Sequence, residues 1–174
     1  MNKALAITTG TALVAVLAFQ QAEIAMIHND VQDVKEFLIH TNERIRYTAN
    51  DKECLAKNIY HEAGVEPKEG KYAVAQVTLN RLKEGRWGKD ICSVVYSKAQ
   101  FSWTLNKKKR YEQPKGQLWA ESQAVARSVL DRGVRVPSLA KSTYYHADYI
   151  RPPVWSRSVA KIQQVGQHIF YKKA

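Results

Sequence analysis

Apolar and polar positions along the chain fall into three regimes. Residues 4–22 carry no charge, behind Met1, Asn2 and Lys3 and ahead of Glu23. Beyond them apolar residues recur between charged ones, and Val31, Val34, Phe37, Leu38 and Ile45 mark a partial helical stripe that reads as a connecting helix. Asn50 with Glu53 three residues later fits a helix start, which predicts a helix from about Asp51 to Ala63 with Gly64 as a left-handed stop. A loop over residues 64–70 leads to a second helix from about Lys71 to Lys83, ended by Gly85, and the two are expected to form a helical hairpin. Ile91 to Tyr96 reads as a short helix or turn, and Ala99 to Arg110 as an exposed loop rich in Lys. Gln117 to Leu130 reads as a helix on the spacing of Leu118, Val125 and Val129. The last third changes period. Thr143 to His146 and Val159 to Tyr171 favour strands, the second run breaking at Val165-Gly166 into a hairpin. The expected fold is therefore α+β, helices first and a small sheet last.

The uncharged run behind a basic residue has the form of an export segment, with the N-terminus inside and everything after Ala22 outside. Three fates stay open. A cleaved signal peptide could be cut near Val16-Leu17-Ala18, and an uncleaved anchor needs about 20 apolar residues. Six Ala, three Thr, a Gly and two Gln dilute the run, and a segment that marginal could also insert and later leave the bilayer, as signal-arrest-release segments do. A buried core helix is the structural alternative. The chain then divides into residues 1–27 as signal or anchor, 28–50 as connecting helix or linker, and 51–174 as one folded domain.

Composition narrows the picture. The 174 residues carry 27 Lys plus Arg against 16 Asp plus Glu, a formal charge of +11, with four Trp, nine Tyr and four Phe, which suits a single globular domain rather than a disordered chain. The positive balance suits a polyanionic partner. Nucleic acid is not expected, because an exported domain does not meet it and no recognised binding motif accompanies the charge. Lys107, Lys108, Lys109, Arg110 and Lys115 form the densest basic cluster, either a solvated surface or an attractor for anionic polymers.

Glu62 is the residue whose pattern points to chemistry. On the first predicted helix Leu55, Ile59 and Glu62 lie at i, i+4 and i+7, so a carboxylate shares the face due for burial. It also sits in the last turn, where free backbone carbonyls disfavour a negative charge. Both effects raise its pKa, and a carboxyl that stays protonated near neutral pH is suited to protonating a leaving oxygen.

The stretch Cys54 to Gly64, then Glu66-Pro67, Gly70, Ala73-Val-Ala75, Val77 and Leu79-Asn-Arg81, resembles the cell-wall hydrolase family typified by the spore cortex-lytic enzymes. Ile91-Cys-Ser-Val-Val-Tyr96, Gln100-Phe-Ser-Trp103, Tyr145-His146, Pro153-Val-Trp155 and Gly166-Gln-His-Ile-Phe-Tyr171 follow in that family's order, so the likeness runs over about residues 51–172. The resemblance implies a lysozyme-like domain that cleaves peptidoglycan between N-acetylmuramic acid and N-acetylglucosamine, with Glu62 matching the catalytic acid. Where the family typically has Ala-Arg-Gly-Glu after that acid, this chain has Ala63-Gly64-Val65-Glu66 and lacks the basic residue.

Glycosidases ordinarily use two carboxylates. No downstream acid here matches a second family motif, which points to a lytic transglycosylase in which Glu62 serves as acid and then base; ordinary hydrolysis and a catalytically silent wall-binding module are the alternatives. Gln100 and Ser102 are candidates to bond a sugar acetamido group, or are turn residues. Tyr145, His146 and Trp155 are candidates to line a saccharide groove, or pack the domain. His146 and His168 are read as structural rather than metal ligands, since no metal-binding motif accompanies them, and neither metal nor cofactor is expected. His61 is assigned no catalytic part. Cys54 and Cys92, which similar family members also carry, form either a disulfide or two buried thiols. The expected partners are peptidoglycan, anionic wall polymers and, if residues 4–22 stay attached, the inner membrane. A monomer in the periplasm or wall is expected, serving phage lysis or bacterial wall remodelling.

Overall fold

A computed structural model describes residues 19–35 and 47–174, which belong to two separate units divided between Arg46 and Tyr47. Residues 19–35 are one helix, α1, that runs without a break across position 27. Most of the uncharged run lies outside the described residues, and no described helix is long and apolar enough to cross a membrane.

The second unit begins at a cap. Thr48 accepts a hydrogen bond from the Asp51 amide while the Asp51 carboxylate accepts from the Thr48 amide, a reciprocal box that starts α2 (Ala49–Ala63). The start is thus Thr48 and Asp51 rather than Asn50 and Glu53. Asp51 also reaches beyond its own helix, since its other oxygen accepts from the Ile91 amide at 3.1 Å and so orients α4 (Ile91–Tyr96). At the far end Gly64 keeps right-handed helical angles, φ −57° and ψ −36°, and is not the left-handed stop expected. It is required for another reason, since a Cβ at Gly64 would collide with the Tyr60 carbonyl.

The connection is shorter than the pattern implies. Pro67 precedes α3 (Lys68–Glu84), its fixed φ suiting a helix start, and Gly70 falls inside the first turn. Gly85 does adopt the left-handed conformation, φ 73°, and its amide reaches the Arg81 and Leu82 carbonyls. Residues expected as an exposed loop form a 3-10 turn (Ser102–Leu105) and a short helix, α5 (Lys107–Tyr111). Phe101 and Trp103 anchor the turn in the core, which a Lys-based reading could not show. The next helix, α6 (Gln117–Leu130), has the boundaries expected, but Trp119 rather than Leu118 enters the core, and Leu118 stays exposed.

Three antiparallel strands, β1 (Tyr144–Ala147), β2 (Val159–Val165) and β3 (His168–Lys173), pair in the order β1-β3-β2, with Tyr145 opposite Phe170. The β2–β3 hairpin turns at Gly166, φ 56°, as the break in the pattern predicts. A register shift between Lys161 and Gln163 bulges β2.

Two apolar clusters explain why α3 lacks a clean polar stripe. Leu55, Ile59, Ala75, Ile91, Phe101 and Trp119 belong to the cluster between the helices, whereas Ala73, Val77, Leu139 and Phe170 form a second one beneath the sheet. Lying between them, α3 is buried on both sides. Cys54 and Cys92 form a disulfide across 38 positions, Cα atoms 5.2 Å apart, which joins α2 to α4. The Cys54 end of the bridge lies on the helix that carries Glu62.

Candidate active site

Glu62 occupies the last turn of α2, one turn beyond Asn58 and on the same face as the fully buried Leu55 and Ile59. Its side chain is half-buried, and the Tyr145 hydroxyl donates a 2.8 Å hydrogen bond to one carboxylate oxygen. Burial raises the pKa of Glu62 above the usual carboxylate range; the Tyr145 hydrogen bond and the positive charges of Arg81 and Lys109 oppose it without cancelling it. The charges that act on it are cationic. The acid is therefore poised between forms: desolvation favours its proton, while three groups stand ready to stabilise the anion once the proton leaves.

Tyr145 reaches Glu62 because β1 delivers alternate side chains to opposite faces of the sheet. Its ring packs edge-on against His168 at 5.1 Å and lies 5.5 Å from Phe170, both on the inner face, and burial together with the Glu62 charge holds its phenol well above the ordinary range. The phenol is therefore a donor and not a base. Tyr145→Phe is expected to move the Glu62 titration upward, by about one pH unit for each 1.4 kcal/mol the hydrogen bond contributes. Side-chain carbon NMR reads this directly, and a midpoint that stays put or drops would show that Tyr145 does not stabilise the anion.

Arg81 is the second part of the site that sequence reasoning passes over. It lies one turn beyond Val77 and Thr78 on α3, buried, and its Nε donates to the Thr143 carbonyl at 2.9 Å while Nη1 reaches the Gln100 carbonyl at 3.4 Å. The guanidinium also sits over the Phe101 ring at 4.8 Å. One cation thus ties the entry of β1 to the Gln100 segment and directs its charge at Glu62. Its sequence signal is the same as that of Glu62, a charged residue at a core position of a helix.

A polar relay backs this arrangement. Asn58 donates to Thr78 at 3.1 Å and accepts from the Trp103 indole at 3.0 Å, which holds the 3-10 turn against α2. The Trp103 face stacks on His61, ring centres 4.4 Å apart, and burial followed by Lys109 pushes the His61 pKa down. His61 thus packs between α2 and the 3-10 turn.

Glu66 has a different role from Glu62. Its carboxylate is buried and accepts from the Gln167 amide at 3.0 Å, and a Cβ at Gly166 would strike the same oxygen. Four positions after the candidate acid, the chain is thereby pinned to the β2–β3 turn. His168 lies 3.9 Å from the other Glu66 oxygen and is buried, which lowers its pKa.

The remaining candidates separate. Gln100 is half-buried with its amide turned onto the Lys98 carbonyl, and Ser102 is exposed at the start of the 3-10 turn. His146 and Trp155 lie on the outer face of the sheet, opposite to Tyr145. Both His146 nitrogens are engaged, one by the Ala147 carbonyl at 2.8 Å and the other by the Tyr171 hydroxyl at 2.9 Å, and Trp155 packs on Tyr144, His146 and Tyr171. Strand alternation thus puts Tyr145 and His146 on opposite faces of the sheet, and Trp155 packs on the His146 side. Among the described residues Asp51, Asp90 and Cys92 come close enough to suggest a metal site. The Cys92 sulfur is already in the disulfide, however, and both carboxylates accept backbone amides as helix caps.

A helix pair that carries one half-dry acid, closed by a three-stranded sheet that supplies its hydroxyl donor, defines a lysozyme-like α+β domain. The chain belongs to the cell wall hydrolase family, whose model matches residues 65–171 and so begins just after Glu62. It is 32% identical over 127 residues to a spore cortex-lytic enzyme of Oceanobacillus iheyensis, covering 72% of this chain and 43% of that protein. A spore cortex-lytic enzyme of Bacillus subtilis is 28% identical over 127 residues, covering 71% and 38%. The chain thus spans less than half the length of these relatives. The crystal structure of the catalytic domain of the Bacillus cereus SleB protein superposes with a TM-score of 0.61 at 25% identity, over 72% of this chain and 92% of that one. The catalytic domain of the germination-specific lytic transglycosylase SleB from Bacillus anthracis gives 0.61 at 24% identity, over 73% and 98%.

Proposed function

We propose that residues 47–174 cleave the peptidoglycan strand between N-acetylmuramic acid and N-acetylglucosamine as a lytic transglycosylase. The observation that carries this reading is a half-buried carboxyl with a raised pKa whose charged neighbours are cationic, Arg81 and Lys109. A retaining glycosidase places its second carboxylate about 5 to 5.5 Å from the first, and an acid that near would act on Glu62 as a like charge. The other buried acids among the described residues, Asp51 and Glu66, are committed to backbone amides.

With one acid the chemistry closes as follows. Protonated Glu62 gives its proton to the bridging oxygen as the bond from that oxygen to the muramoyl C1 breaks, and the N-acetylglucosamine leaves as an alcohol. The Glu62 carboxylate, now held by the Tyr145 hydroxyl and facing Arg81, takes the proton from the muramoyl 6-hydroxyl. That oxygen bonds to C1, giving a 1,6-anhydro ring and restoring the acid without water. Mass spectrometry of muropeptides released from purified walls tests this: anhydromuramoyl ends are expected, and hydrated reducing ends alone would replace the reading with ordinary hydrolysis.

Around that reaction the expected partners are peptidoglycan and, through the exposed lysines of α5, anionic wall polymers. Export through residues 4–22 would set the domain in the periplasm or wall, tethered to the inner membrane while that segment remains attached. Gln100 and Ser102 are sugar-contacting candidates because Arg81, whose charge acts on Glu62, also holds the Gln100 carbonyl.

A further inference from the structure

Helix α1 displays an apolar row that no described residue of its own unit covers. Ile24, Ile27, Val31 and Val34 are 66%, 62%, 56% and 57% exposed, and their spacing of three, four and three is that of positions a, d, a and d of a heptad. The row spans two heptads: Gln20 takes the preceding d position, and Phe19 and Met26, 68% and 61% exposed, lie at c positions outside it. The flanking charges select the partner. Glu23 and Asp30 occupy the g positions, and His28 and Lys35 the e positions.

In a parallel pair each g residue meets the e residue five positions on in the neighbouring helix, so Glu23 faces His28 and Asp30 faces Lys35, acid to base in both cases. In an antiparallel pair g would face g and e would face e, bringing acids together and bases together. A bilayer surface fits poorly, because residues 19–35 hold three acids against one lysine, the opposite of the basic face that anionic lipid attracts. The chain's overall charge of +11 is thus concentrated elsewhere.

We propose that α1 is a parallel coiled-coil segment through which copies of this chain associate, displaying their residues 47–174 as a cluster. Ile and Val fill d as well as a, which favours three helices or more over two. The expected monomer would then describe residues 47–174 alone.

Sedimentation velocity of the full-length chain in a non-ionic detergent, over a range of protein concentrations, tests the proposal. Reversible self-association is expected for the parent. Asp30→Lys and Lys35→Asp should each weaken it about tenfold, since each substitution turns every Asp30–Lys35 pair into a like-charge contact. Combining both changes in one chain should restore it, since every such pair is then opposite in charge again with its signs exchanged. Exposed positions on a helix make loss of folding a poor explanation for a defect that a second charge repairs. A parent that stays monomeric, an association unchanged in both single variants and so lodged elsewhere, or a failure of the double variant to recover would each overturn the proposal.

Discussion

Glu62→Gln is expected to lower muropeptide release by about 100-fold to 10,000-fold while leaving wall binding intact, because in the proposed mechanism one side chain serves as acid and then as base. The same substitution should make the domain more stable at neutral pH. Burial raises the folded pKa of Glu62 above its unfolded value, so the folded state binds more protons than the unfolded state between those two values. Stability therefore falls as pH climbs from the ordinary Glu range through the folded value, and above it a half-dry carboxylate persists at a cost. Gln carries no such charge, and the Tyr145 hydroxyl can still donate to its amide oxygen. Thermal melts of parent and variant should coincide in acid and separate above it, with the variant higher. Retention of more than a tenth of the parent activity would remove Glu62 from the chemistry and favour a binding module.

Breaking the Cys54–Cys92 bridge is expected to cost about 4 kcal/mol, the chain-entropy value for a loop of 38 positions. For a domain of this size that corresponds to a fall in Tm on the order of 10 to 20 °C. The effect should concentrate at the acid, because the bridge fixes α2, which bears Glu62, to α4, which leads into the Gln100 segment. Calorimetry of the Cys54→Ser/Cys92→Ser variant against the parent, with the reduced parent as a third sample, measures it. Equal Tm values in all three would mean that Asp51, which caps α2 and also binds the Ile91 amide, already holds the two helices together.

Tyr145 and Arg81 show why the acid was legible and its surroundings were not. Glu62 announces itself within seven residues, since Leu55 and Ile59 on one helix face specify burial and a carboxylate among them conflicts with it. Tyr145 lies 83 positions away, and nothing local distinguishes its inward ring from the outward rings of Tyr144 and His146. One step of register exchanges the faces of a strand. For the same reason Tyr145, His146 and Trp155 look like one aromatic lining in the sequence, and the sheet divides them. The Lys-rich segment misleads in another way. Its charges describe the exposed α5, whereas Phe101 and Trp103 just before them decide that the chain dives into the core.

Local periodicity, then, was enough to establish the order of the longer helices and the strands, the hairpin at Gly166 and the position of an acid in an apolar stripe, because each depends on neighbours a few residues apart. Helix starts depended on more distant partners. Thr48 and Asp51 outcompeted Asn50 and Glu53 because Asp51 also satisfies the Ile91 amide, 40 positions on. Tertiary structure alone decided which hydroxyl meets the carboxyl, which cation faces it, and that Glu66 holds the hairpin turn while Glu62 stays free to react. Those assignments rest on hydrogen bonds and fields between segments far apart in the chain, and a pattern of spacing holds no record of them.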